Sequence, residues 1–66
     1  MPDLMDALLQ ELNRNRELVR LYRDFPEGTY AAGMIEQDIK SGERAIADND
    51  VVRMLRSYER LKENKA

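Results

Sequence analysis

The sequence predicts an all-α fold: a three-helix up-down bundle, or a helical hairpin with a third helix, assembled as a homo-oligomer. Three observations predict it. Apolar residues recur at three- and four-residue steps in three separate stretches. Two short clusters, Phe25-Pro26-Glu27-Gly28 and Asp48-Asn49-Asp50, punctuate the chain between them. The chain has 66 residues and neither cysteine nor histidine, so the supports left to a single domain spanning residues 1–66 are helix packing and self-association.

The first helix is expected over residues 3–24. Pro2 and Asp3 open it, Asp3 as N-cap, and Asp6 places favourable charge in the first turn. Leu4, Met5, Leu8, Leu9 and Leu12 form its apolar face, which Leu18, Val19, Leu21, Tyr22 and Phe25 resume. Pro26 stops the helix, because it lacks a backbone donor and drives Phe25 away from helical angles. A second helix is expected over residues 30–47, with Thr29 as its cap and Ala31, Ile35, Ile39, Gly42 and Ile46 on one face. Gly33 and Gly42 each cost it about 1 kcal/mol relative to alanine, a cost that close packing against another backbone or a ligand offsets. In the second turn Asn49 suits a left-handed C-cap and Asp50 caps a third helix over residues 51–63. Val51, Met54, Leu55, Tyr58 and Leu61 make its buried seam, and Asn64-Lys65-Ala66 should fray. The four methionines, Met1, Met5, Met34 and Met54, supply adaptable apolar surface or core filling.

One segment breaks this pattern. Asn13, Arg14, Asn15 and Arg16 interrupt the apolar stripe of the first helix, which marks a polar ligand site, a buried specificity layer or an exposed turn. Counting outward from each turn places Asn15 level with Ile39 and Lys40 on the second helix and with Tyr58 and Glu59 on the third. That height is remote from both chain reversals and disfavours the turn.

Composition narrows the function. Eleven basic and thirteen acidic residues give a net charge of −2, which disfavours wholesale binding of nucleic-acid polymers. No apolar run approaches the ~20 residues of a membrane span, and the amino terminus lacks the layout of a signal peptide. A cytoplasmic protein without a membrane partner is expected. Catalysis has little to work with: no histidine base, no cysteine nucleophile and no glycine-rich phosphate loop. Thr29 reads as a cap, Ser41 and Ser57 as helix-surface residues, and Glu36 and Asp38, two apart, point to different faces. A non-enzyme without cofactor follows. Asp48-Asn49-Asp50 lacks the further acids of a calcium loop, so no metal is expected either.

Anions are better served. Arg16, Arg20 and Arg23 on the first helix and Arg53, Arg56 and Arg60 on the third form two guanidinium stripes suited to phosphate. Asp24, Glu27 and Glu59, three or four residues further on, make a solvated face with surface ion pairs the reading that charge spacing alone favours. The start of the second helix offers unsatisfied donors, small residues at Gly28, Ala31, Ala32 and Gly33, and Tyr30 as a stacking face or as an anchor on Phe25.

Taken together, Asn13-Arg14-Asn15-Arg16-Glu17-Leu18, Pro26-Glu27-Gly28-Thr29-Tyr30-Ala31-Ala32-Gly33-Met34-Ile35, Ala45-Ile46-Ala47, Asp50-Val51-Val52-Arg53-Met54-Leu55 and Tyr58-Glu59-Arg60-Leu61-Lys62 resemble small phage- and prophage-encoded helical proteins. Some proteins of that kind are immune-evasion sponges of the anti-CBASS type, which bind cyclic nucleotide signals of bacterial defence. The resemblance implies a non-catalytic homo-oligomer, a dimer or tetramer in the host cytosol, that sequesters a cyclic dinucleotide. It further implies Arg14, Arg16 and Lys40 on phosphate, Tyr30 in base stacking, Asn13 and Asn15 on base or ribose edges, and Thr29 as a hydroxyl contact. Two rivals stand beside it: a helical module that docks a host or phage protein, and a weak helix-turn-helix-like DNA contact by the third helix, against which Glu59 and Glu63 weigh.

Overall fold

The computed structural model describes residues 3–65; the roles expected of Met1, Pro2 and Ala66 lie outside the described residues. Helices α1 (Leu4–Arg23), α2 (Thr29–Ala47) and α3 (Val51–Glu63) follow one another, with a 3₁₀ turn at Pro26–Gly28, and no strand occurs among the described residues. Every pair of helices packs together. Arg23 pairs with Glu36 and Arg16 with Glu43, so the index rises along α1 as it falls along α2. Arg53 with Asp48 and Arg60 with Asp38 show the same for α2 and α3. The arrangement is therefore up-down-up, the bundle form expected.

Local chemistry sets the ends. Asp3 accepts from the Asp6 N–H at 2.9 Å and Asp50 from the Arg53 N–H at 3.1 Å, side-chain caps worth about 1 kcal/mol each. Asn49 has φ 52°, the left-handed conformation a short polar side chain tolerates. Phe25 is extended (φ −122°, ψ 134°) ahead of Pro26. Thr29 departs from its expected role. It is the first residue of α2, with helical angles, while Gly28 holds the N-cap position without a side-chain bond. The 3₁₀ turn runs directly into α2 and the Thr29 N–H donates to the Pro26 carbonyl, so no extended residue is left to cap.

The core follows a three-four rhythm on all three helices. On α1 Leu8, Leu12, Asn15 and Val19 are buried, with Met5 and Tyr22 half-buried at the ends of the same stripe. On α2 it is Ala32, Ile35, Ile39 and Gly42, then half-buried Ile46; on α3 Met54, half-buried Tyr58 and Leu61. This is the spacing of knobs-into-holes packing. It corrects the apolar faces expected from sequence: Leu9, Leu21, Phe25, Val51 and Leu55 are exposed, and Ala32 and Ala45 are buried more completely than Ala31 and Ile46. Leu9, Leu21 and Leu55 stand next to Leu8, Tyr22 and Met54, and one residue along a helix turns the side chain by about 100°, out of the seam.

The three glycines differ. A Cβ on Gly42 would lie 3.2 Å from Leu12 and 3.5 Å from Leu61, so the missing side chain lets leucines from both other helices meet on α2. One on Gly33 would meet nothing within 4 Å, and one on Gly28 would stand 2.1 Å from the Tyr22 carbonyl oxygen. Packing thus accounts for Gly42 and not for Gly33. Gly33→Ala should stabilise the fold by about 0.5–1 kcal/mol, raising the melting temperature by roughly 4–8 °C per kcal/mol. Gly28→Ala should lower it through overpacking of about 1–3 kcal/mol. Thermal denaturation followed by circular dichroism checks the pair, and the reverse order would contradict the packing described.

Candidate functional site

The run Asn13–Arg16 sends its side chains in three directions, as successive residues on a helix must. Asn15 turns inward. Its side chain is 0% exposed, and its amide donates to the Glu11 carbonyl at 2.7 Å and to the Leu61 carbonyl on α3 at 3.1 Å. Its oxygen accepts from the Asn64 amide at 3.0 Å, which also donates to Asp38 of α2 at 3.1 Å. Two amides, Asn15 and Asn64, thus join all three helices, and no buried side-chain polar atom lacks a partner among the described residues.

Arg14 serves the same helix end from outside. Its guanidinium donates to the carbonyls of Leu61 at 2.8 Å and Asn64 at 2.9 Å, and it is braced by Glu11. The last carbonyls of a helix have no partner within it, and the macrodipole favours a cation there. Arg14 and Asn15 therefore form a C-terminal cap for α3 supplied by α1. This occupies the donors that the sequence reading offered to a ligand.

Asn13, Arg16 and Lys40 belong elsewhere. Asn13 accepts from Arg16 at 2.9 Å, and Arg16 reaches across to Glu43 of α2 at 2.9 Å. Arg16 and Lys40 then line a groove between α1 and α2 with Arg20, Arg23, Glu36 and Glu43, over a floor of Val19 and Ile39. The groove is open to solvent and spans about 440 Å³. Arg20 pairs with Glu17 and Arg23 with Glu36, in place of the Asp24 and Glu27 partners expected from spacing. The reason is that α1 ends at Arg23, so Asp24 and Glu27 no longer follow helical periodicity. Lys40 has no ion pair among the described residues.

A larger groove of about 700 Å³ lies between α2 and α3, where Ser41 and Ser57 accompany Arg53, Arg56 and Arg60. Its three cations meet three acids, Asp38, Glu59 and Glu63, whereas the α1–α2 groove is lined by four cations and two acids, with Glu17 pairing Arg20 from outside the lining. Arg53 is held by Asp48 at 2.9 Å and Arg60 lies 3.8 Å from Asp38, which draws two arginines of the stripe away from any DNA backbone. Asp48 is bound by Arg53 and Arg44, and Asp50 caps α3, so the second turn is employed in turn and cap duties.

Thr29 and Tyr30 stand apart from the other expected ligand residues. Thr29 precedes Lys40 by eleven residues, about 16 Å along a helix. Tyr30 is 80% exposed and Phe25 60%, so the aromatic pair does not anchor the turn. The Tyr22 carbonyl packs on Gly28 and presents an acceptor where an anion at the start of α2 would approach. Tyr58 was expected level with Asn15; the contacts place Leu61 and Asn64 there, one turn further on. The lysine at 62 covers the Tyr58 ring, 5.7 Å from its centre.

No family model, curated protein or solved structure matches the chain. No helix among the described residues is long and apolar enough to cross a membrane.

Sequence reasoning missed Glu36 and Glu43 as partners of the arginines and Asn64 as the partner of Asn15, since each pairing spans separate helices. Removing the buried amide tests its structural role. Asn15→Ala should cost about 2 kcal/mol or more, from lost hydrogen bonds and the space left behind, and should release protection of the α3 amides in hydrogen exchange. Unchanged urea stability would contradict that role.

Proposed function

We propose that this chain is a non-catalytic binding protein that captures a small dianionic nucleotide, a cyclic dinucleotide being the class of best fit, in the groove between α1 and α2. One observation carries the reading: Arg16, Arg20, Arg23 and Lys40 line one groove over an apolar floor, and Lys40 has no ion pair among the described residues. With Glu43 on Arg16, Glu17 on Arg20 and Glu36 on Arg23, the unpaired Lys40 and the guanidinium donors left over are what the groove offers to phosphate. Coulomb attraction at such a half-shielded site exceeds that in bulk water, and Val19 and Ile39 offer apolar contact to the bases.

The arginines are oriented for the task. A guanidinium has five N–H donors; Asn13 and Glu43 engage Arg16, and Glu36 engages Arg23, which fixes each side chain while leaving donors over. Lys40 and the outer edge of Arg20 then take the phosphates as they arrive. Asn13 acts through Arg16. Arg14 and Asn15 hold the scaffold, and neither Thr29 nor Tyr30 lines the groove. Capture of this kind needs no general base and no metal, which agrees with the sponge-like activity that the sequence resemblance implies. Self-association of a phage-encoded chain is part of the same proposal.

A second reading, a helical module docking a host or phage protein, draws on exposed Leu21, Phe25, Tyr30 and Met34. Calorimetry against a panel of cyclic di- and trinucleotides tests the first. Binding is expected, with intact nucleotide recovered after heat denaturation; silence across the panel would remove it. Lys40→Glu and Arg16→Ala should each weaken capture at least tenfold, with helicity and melting temperature little changed. Full affinity in both variants would move the site away from this groove.

A further inference from the structure

Past the end of α3 the bundle leaves an apolar notch that the nucleotide groove does not use. Arg14, Leu18 and Leu21 follow steps of four and three along α1 and so share one side of it, and Phe25 comes just past its end as the extended residue before Pro26. At Arg14 that side meets the last carbonyls of α3 and at Leu18 it is still buried; at Leu21 it opens to solvent, and Phe25 in the turn is exposed as well. On α2, Asp38 meets Asn64, while Met34, four residues earlier, continues the same side into solvent. Half-buried Tyr22 lies between, its hydroxyl donating to the Lys65 carbonyl. Tyr30 stands at the lip.

We propose that a second copy of this chain covers the notch, the same surface meeting its own image about a two-fold axis. Area is the first argument. Two aromatic and two long aliphatic side chains, each at least half exposed, present on the order of 500 Å² of apolar surface, near the upper limit for the largest patch on a monomer. That supplies most of the ~800 Å² each partner contributes to a standard interface. Charge is the second. Arg20 and Arg23 are taken by Glu17 and Glu36, which leaves Asp24 and Glu27 at the turn edge without an ion pair among the described residues. Lys65, at the opposite edge, is also without one. An acidic or a basic foreign partner would call for a rim of one sign; a rim carrying both is self-complementary about a two-fold axis, with the turn acids of one copy set against Lys65 of the other.

This inference rests on the self-association in the proposed function and on none of its ligand chemistry. Sedimentation velocity over a concentration series should show a dimer. Phe25→Glu and Leu21→Glu should yield helical monomers, or weaken dimerisation at least tenfold, while Leu55→Glu, an equally exposed apolar position on α3, should leave the dimer intact. Should the notch variants lose helicity, charge reversal decides: Glu27→Lys and Lys65→Glu should each weaken the dimer and their combination restore it. A monomeric wild type, a dimer indifferent to the notch substitutions, or a double reversal without rescue would overturn the proposal. Nucleotide calorimetry on the Phe25→Glu monomer separates the two ideas, since the groove lies within one chain and should keep its ligand there.

Discussion

Two linked amides, Asn15 buried and Asn64 half-buried, tie the three helices together. Asn15 occupies a core position between Leu12 and Val19 and binds the Leu61 carbonyl and the Asn64 amide. An apolar residue there would pack more favourably by area, but leucine seams tolerate sliding, whereas a polar group in a core seam has low energy in one alignment only. Sliding α3 by a turn would leave the Asn15 amide facing aliphatic side chains without a partner, at a cost of about 1–3 kcal/mol. Arg14 reinforces the same alignment from the rim. Its bonds to Leu61 and Asn64 sit at a partly exposed site, so they contribute less than a buried pair would.

Once α3 is fixed there, the remaining surface follows. Thirteen residues in α3 against twenty in α1 and nineteen in α2 amount to about 20 Å set beside about 30 Å. The α1–α2 hairpin therefore extends past its third helix at the turn end, which exposes Leu21, Phe25 and Met34. On the opposite flank α1 and α2 meet without α3 and form the cationic groove. Net charge hides this division. A chain carrying −2 overall still concentrates four cations around Val19 and Ile39, because its acids serve as caps, as partners across helices and as rim charges.

Much of the fold is legible in the sequence, because local rules fix helix ends. Asp3 and Asp50 as caps, Pro26 as terminator and Asn49 in the left-handed region act within a few residues, and the third helix matches its expected span. Thr29 shows where such rules fail: whether a threonine caps depends on whether the preceding turn is extended, and here it coils into the helix. Asn15 was legible in part. Met5, Leu8, Leu12, Asn15, Val19 and Tyr22 stand at steps of three and four, so the polar break falls on the core rhythm and reads as the buried layer among the three alternatives. Which carbonyl receives its amide, and which glutamates brace Arg16 and Arg23, depend on the rotation of each helix about its axis, to which spacing along one helix is blind. The exposed stripe of α1 follows from the length of a different helix.

The account depends most on the coupling between Asn15 and the end of α3, and a double-mutant cycle measures it directly. Urea denaturation of the wild type, Asn15→Ala, Asn64→Ala and the double variant should show a coupling energy of about 1 kcal/mol, well above the 0.3–0.5 kcal/mol of independent sites. Additivity within that margin would contradict the account, and would mean that α3 takes its register from apolar packing alone.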